Sequence, residues 1–135
     1  IGAGGKVGAF TEIQSDVKIG ENTTISSHSF ICSFVSIGNN VFVGHKVMTI
    51  NDVYPPSHRR TGTNKYWKQT SIGNNVIIGT GAILFPIKMG DKAIVGAGSV
   101  VRKDVPAGQV WAGNPAKYIC ETKDLKYEDG KPVFP

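Results

Sequence analysis

The 135 residues suffice for one domain and fall short of two ordinary ones. Apolar residues supply 40% of the chain, which excludes disorder from want of hydrophobicity, and no apolar run approaches the ~20 residues that a membrane-spanning helix needs. The net charge of +5 is concentrated: six basic residues and one acid, Asp52, stand from Lys46 to Lys88, a cluster that suits an anionic small molecule and equally a solvated loop.

The N-terminal part is a repeat. Ile1, Val7, Ile13, Ile19, Ile25, Ile31, Ile37 and Val43 are spaced by six without a break. A small or polar residue follows each, as in Gly2, Gly8, Gly20, Gly38 and Gly44. A second restricted set (Gly5, Thr11, Val17, Thr23, Ser29, Val35, Val41, Val47) stands four places after. A helix would scatter such residues over different faces, and a hairpin meander needs turn signals every 8–12 residues or so. A period of six suits a short strand and a tight corner. Alternation along the strand sends the aliphatic residue and the one two places before it inward. The glycine that follows is expected at the corner, in backbone angles closed to other residues. Three hexads close a triangular coil, and coils stack as parallel strands about 4.8 Å apart. The fold class is all-β, a parallel β-helix, with three coils from Ile1 to Tyr54.

Residues 55–71 interrupt the pattern with an inserted loop that carries Arg59, Arg60, Lys65 and Lys68. A long insertion in a regular solenoid is usually functional. The pattern resumes at Ile72, Ile78 and Leu84, loses one residue, and continues at Met89, Val95 and Val101. Ile72 to Pro106 add about two coils, so about five are expected in all. Residues 1–119 read as one β-helix domain and residues 120–135 as a charged C-terminal tail without an assignable role.

The chain begins at Ile1 inside a repeat and without an initiator Met, which points to further residues upstream. No N-terminal segment reads as a signal peptide. Cys32 and Cys120 lie far apart and no CxxC is present, so they read as reduced thiols of a cytoplasmic protein.

Two stretches carry a resemblance. One is Ile94-Val-Gly-Ala-Gly-Ser-Val-Val-Arg-Lys-Asp-Val-Pro106, followed by Ala112-Gly-Asn-Pro-Ala-Lys-Tyr-Ile119. The other is Val41-Phe-Val-Gly-His-Lys-Val-Met-Thr-Ile-Asn-Asp-Val-Tyr-Pro55. With the repeat, they resemble the hexapeptide-repeat acyltransferases, and the second stretch resembles the subgroup that N-acetylates amino sugars carried on nucleotide diphosphates for surface-polysaccharide synthesis. The resemblance implies a left-handed β-helix, a handedness that the right-handed crossover preference would not suggest. It further implies acetyl-CoA as co-substrate and a homotrimer with its active site between neighbouring subunits.

His28 and His45 fall at the fourth and third places of hexads three apart. They are therefore expected near one corner in adjacent coils, within several ångströms of each other and pointing outward. Both are candidates for the base or for substrate contact, against a structural role at a subunit boundary. Asn51 lies one side further round, so that His45, Asn51 and the start of the insertion are expected to line one groove. Asn51 is the candidate for a substrate or carbonyl hydrogen bond. Asp52 would hold the sugar amine or cap a turn. The resemblance places Tyr54 where related O-acetyltransferases have their histidine base, which implies direct attack by a deprotonated amine. Arg59 follows Pro55 by four places, later than the arginine of the amino-sugar subgroup. For the cofactor, Gly79, Thr80, Gly81 and Ala97 permit close approach of a pantetheine arm, and the resemblance matches Thr80 and Ala97 to positions that contact it. Arg102, Lys103 and Lys117 are placed for the adenosine phosphates.

O-acetylation of a sugar or other small acceptor is the alternative. A zinc carbonic anhydrase would need three converging histidines, whereas His58 lies in the insertion; no metal site is expected. Ice binding would need a regular face of Thr, where Lys6, Glu12, Lys18 and Thr24 stand outward instead. Nucleic-acid binding rests on the basic cluster alone, without interleaved aromatics, and a non-catalytic scaffold remains a different-class alternative.

Overall fold

The sixfold spacing of Ile and Val builds a three-sided coil, and the computed structural model describes residues 1–134 of it. The first side stacks Lys6–Val7, Thr24–Ile25, Phe42–Val43, Ile77–Ile78, Ile94–Val95 and Gln109–Gly113, all parallel. The second stacks Glu12–Ile13, Phe30–Ile31, Met48–Thr49, Ile83–Leu84 and Val100–Val101. The third stacks Lys18–Ile19, Val35–Ile37, Thr70–Ile72 and Lys88–Met89, extended by a parallel bridge from Met89 to Val105. The first side thus has six parallel rungs where the repeat led us to expect about five. The sixth, Gln109–Gly113, lies beyond the last recognisable hexad and is held by Ile94–Val95.

Strand alternation places the side chains as expected. Ile25, Val43, Ile78, Leu84 and Val101 are inward and at most 1% exposed, and Val41, Val47, Val76 and Ala82 two places before such positions are buried with them. Where the second position is polar, it is satisfied: the Thr23 hydroxyl donates to the Gly38 carbonyl at 2.8 Å and accepts the Val41 N–H at 3.1 Å. The outward rows differ between sides. The third carries Lys18, Ser36, Ser71 and Lys88, the second Glu12, Phe30, Met48, Ile83 and Val100, and the first Lys6, Thr24, Phe42, Ile77 and Ile94, so that two sides are polar in their first coils and apolar beyond.

The corner expectation is corrected. The residue in the left-handed conformation is three places after the aliphatic one, and more often than not it is not glycine: Phe10, Asp16, Asn22, His28, Phe34, Asn40 and Lys46 all have φ between 53° and 69°, while Gly4, Gly81, Gly98 and Gly108 take the same place elsewhere. The glycine directly after the aliphatic residue is needed for closeness instead. A Cβ on Gly8 would stand 2.4 Å from the Ser27 nitrogen, and one on Gly79 2.4 Å from the Ala97 nitrogen, because the next coil's backbone lies there.

The insertion leaves after Asn51, forms the short helix Ser57–Thr61, and closes when the Lys68 N–H reaches the Asn51 carbonyl at 2.8 Å. The solenoid resumes with Thr70. At the other end Ala116–Glu121 turns back antiparallel on Gln109–Gly113, and the Val133 N–H ties the tail to the Leu125 carbonyl at 3.1 Å. Residue 135, the end of the tail, lies outside the described residues. No helix among them is long and apolar enough to cross a membrane.

Candidate functional site

The corner between the first and second sides collects the largest group of the candidates. Ala9, Ser27, His45, Thr80 and Ala97 occupy the same place in successive coils. Backbone bonds run up this stack: Lys46 N–H to the Ser27 carbonyl (3.1 Å), Gly81 N–H to the His45 carbonyl (2.8 Å) and Gly98 N–H to the Thr80 carbonyl (2.8 Å). His45 therefore lies one coil from Ser27 and one from Thr80. Its Nδ1 is 2.9 Å from the Ser27 hydroxyl, which orients an otherwise exposed ring. His28, one residue after Ser27, takes the left-handed corner conformation at φ 61° and packs its ring against Phe10, with centroids 5.2 Å apart. The two histidines thus share a corner in adjacent coils. Gly79, Thr80, Gly81 and Ala97 belong to the same corner. The N–H groups of His45, Thr80 and Ala97 make no hydrogen bond to the described residues.

Asn51 stands elsewhere. The strand Met48–Thr49 separates the first corner from the second, so within one protomer His45 and Asn51 lie at opposite ends of the second side and do not line a common cavity. Successive corners of a triangle are a full strand apart. At the second corner the Asn51 side-chain amide donates to the Ser33 carbonyl at 3.0 Å. Asp52 is buried, and its Oδ2 accepts the Ser57 N–H at 2.7 Å, which is a turn-capping contact. Asp52 also borders two cavities. One, of about 300 Å³, lies under the insertion against Asn51, Thr49, Phe30, His58 and Trp67. The other, of about 490 Å³, lies within the insertion against Tyr54, Ser57, Arg60 and Lys68.

Arg59 lines neither cavity; its neighbour Arg60 does, with its guanidinium on the Tyr54 carbonyl. Nothing in the sequence told the two arginines apart, because the side each faces depends on the helix Ser57–Thr61. Trp67 was also missed. Its indole meets Phe34 edge-on at 5.9 Å and His58 at 6.0 Å, which pins the insertion to the solenoid.

The three cations near the C-terminus do come together. Arg102, Lys103 and Lys117 line one open cleft of about 600 Å³ with Trp111 and Tyr118. Arg102 also stacks over the Phe85 ring at 5.0 Å. The Tyr118 phenol is pushed above its ordinary value by desolvation and by Glu121, whose carboxylate accepts its hydrogen bond at 3.2 Å.

Cys32 is buried beside Thr49, whose hydroxyl is 3.1 Å from the sulfur, and burial pushes its thiol up. No group of three His, Cys, Asp or Glu among the described residues is arranged to hold a metal ion, and His58 stands at the second corner, away from His28 and His45.

Comparison with known proteins adds sequence and structural relatives. Residues 69–103 match a family model described as the hexapeptide repeat of succinyl-transferase. The galactoside O-acetyltransferase of Escherichia coli (strain K12) is 35% identical over 114 residues, which is 82% of this chain and 56% of that protein; the chain thus spans little more than half of that relative's length. The crystal structure of a maltose O-acetyltransferase from Clostridium difficile 630 superposes with a TM-score of 0.79 at 31% identity, covering 90% of this chain and 68% of that one. A galactoside acetyltransferase in complex with coenzyme A superposes with a TM-score of 0.70 at 30% identity, covering 93% and 71%.

Proposed function

Because this chain belongs to the hexapeptide-repeat acetyltransferase family, we propose that it moves the acetyl group of acetyl-CoA to the amine of a nucleotide-linked amino sugar. One observation carries the reading. The first corner stacks His45 directly beneath Thr80 and Ala97, with backbone N–H groups left free along the same edge. A pantetheine arm lying there finds donors for its amide carbonyls, and small residues let it approach. The cleft of Arg102, Lys103 and Lys117 takes the adenosine phosphates at the far end, where clustered cations favour them.

The acceptor nitrogen attacks the thioester carbonyl carbon, the carbon–sulfur bond breaks, and the proton shed by the nitrogen ends on the departing sulfur. Holding the two reactants together supplies much of the rate, and free N–H groups suit the developing oxyanion. His45 serves either way. With its Nδ1–H donating to Ser27, its Nε2 is bare and accepts the proton; with Ser27 donating, Nε2–H is a donor for the oxyanion. His28 contacts the acceptor or holds the corner through Phe10. Asn51, Asp52 and Tyr54 belong to the acceptor side, with Arg60 in the part first given to Arg59.

The acceptor side and the cofactor corner of one protomer are a strand apart, so they meet between neighbours in a homotrimer. The apolar stretches of two outward rows, Phe30, Met48, Ile83 and Val100 beyond Glu12 on one side and Phe42, Ile77 and Ile94 beyond Lys6 and Thr24 on the other, support such packing. Residues 1–119 act as the catalytic unit, in the cytoplasm. A screen of nucleotide-linked amino sugars with acetyl-CoA, following free thiol, tests the reading; no release with any amine removes it. O-acetylation is the second reading, favoured by the likeness to galactoside and maltose O-acetyltransferases. Thiol release with hydroxyl acceptors alone would establish it.

A further inference from the structure

The outermost place of the first corner changes character up the stack. Three places after each inward aliphatic residue stand Phe10, His28, Lys46, Gly81 and Gly98, one per coil and all in the left-handed conformation. That conformation does not demand the glycines, since the first three residues carry side chains in it. Crowding does not demand them either: a Cβ on Gly98 would meet nothing within 4 Å, and one on Gly81 only the Gly98 nitrogen, at 4.0 Å. Two coils are thus bare on their outer edge, beside Thr80 and Ala97, and the coil beneath them ends in a lysine.

Lys46 is exposed and follows His45. Its N–H is fixed on the Ser27 carbonyl at 3.1 Å, and the His45 carbonyl accepts the Gly81 N–H at 2.8 Å, so backbone bonds hold the lysine one coil from Gly81. Its side chain enters no ion pair among the described residues; the pair found there is Lys131–Asp129, in the tail. Coils stand about 4.8 Å apart, and the flexible lysine stem spans that step. The amine therefore reaches the edge along which the pantetheine arm is laid, at the thioester end.

We propose that Lys46 is a self-acetylation site. The inference rests on reading the first corner as the cofactor's track and adds that the corner carries an acceptor amine of its own. With acetyl-CoA bound and no other acceptor present, the unprotonated Lys46 nitrogen attacks the thioester carbonyl carbon. The carbon–nitrogen bond forms, the carbon–sulfur bond breaks, and the proton shed by the nitrogen ends on the departing sulfur. The products are acetyl-lysine and coenzyme A. A lysine amine is a competent nucleophile towards carbonyl carbon, and being held beside the thioester is what separates Lys46 from Lys18 and Lys88 on the third side. Acetylation removes the cation and leaves a neutral amide next to His45, where the acceptor nitrogen has to approach.

Incubating the whole chain with acetyl-CoA alone and mapping its peptides by mass spectrometry tests the proposal without any sugar. Lys46 should be acetylated at least about ten-fold faster than Lys18 or Lys88. Acetyl phosphate transfers the same group but has no arm to lay along the corner, so it should show no such preference. Gly98→Asn keeps a residue that tolerates the left-handed conformation and puts a side chain on the bare edge; it should lower the preference together with acetyl-CoA affinity. Equal rates at the three lysines, with acetyl-CoA shown bound by calorimetry, would overturn the proposal and leave the cofactor's track standing. A preference that acetyl phosphate reproduces would overturn it too, because it marks a lysine reactive without the corner. Absence of acetyl-CoA binding would overturn the proposal and the reading of the corner together.

Discussion

Two corners of the same triangle use the same position in opposite ways. At the corner between the third and first sides, the residue two places after the aliphatic one is polar in four successive coils, between Ala3 and Ala107, and bonds to its own kind. The Glu21 N–H donates to Asn39 Oδ1, the Asn39 N–H to Asn74 Oδ1 and the Asn74 N–H to Asp91 Oδ1, each at 2.8 Å. At the corner between the first and second sides the same place holds Ala9, Ser27, His45, Thr80 and Ala97, and the side-chain bond between its members is Ser27–His45. The first arrangement is a ladder that closes on itself. The second leaves backbone donors and a histidine ring facing outward. A regular solenoid therefore separates its tasks by corner: side chains that satisfy their neighbours stabilise, and side chains too small or differently shaped to do so leave room for a ligand.

The contrast is open to direct attack. His45→Gln should lower turnover by about 10²–10⁴-fold, the range for loss of a positioned acid–base group, while the thermal midpoint stays put; steady-state kinetics beside calorimetry checks both halves. An equal loss of stability would make His45 part of the scaffold. Gly79→Val thrusts a side chain at the Ala97 nitrogen, 2.4 Å from its Cβ, and should cost about 1–3 kcal/mol by denaturant titration together with acetyl-CoA binding. Asn74→Ala breaks the ladder at the other corner and should cost about 0.5–1.5 kcal/mol with kcat/KM unaltered. A drop in kcat/KM there would erase the division of labour between corners. The mildest effect concerns the thiols. Burial raises the Cys32 value, so less of it is thiolate at any given pH, and iodoacetamide at mildly alkaline pH should label the half-buried Cys120 and reach Cys32 only on unfolding. Mass spectrometry of the alkylated chain reads this out.

The repeat was legible because each aliphatic residue reports its own burial. Ile25, Val43 and Ile78 repeat at a fixed interval and all three are buried to within 1%. The sixth rung was not legible: Gln109–Gly113 has no glycine-marked hexad and is recruited by the strand beneath it. The glycines were assigned to the right place for the wrong reason. From sequence alone, a glycine after every strand looks like a demand for unusual backbone angles. The crowding comes from Ser27 over Gly8 and Ala97 over Gly79, contacts between residues one coil apart.

The site divides along the same line. The shared corner of His28 and His45 followed from counting hexads, whereas Thr80 and Ala97 came from the resemblance and their place at that same corner from the stacked coils. The choice of Arg60 over Arg59, the wall of Trp67 and the orphaned Ser57 hydroxyl did not, since the insertion has no period to count. What the sequence alone determined is the winding: a translational repeat needs only local spacing to state which residues face in and which turn. What only the tertiary structure decided is where the irregular segment folds back and which of its side chains it shelters, because those contacts join residues that no periodicity relates.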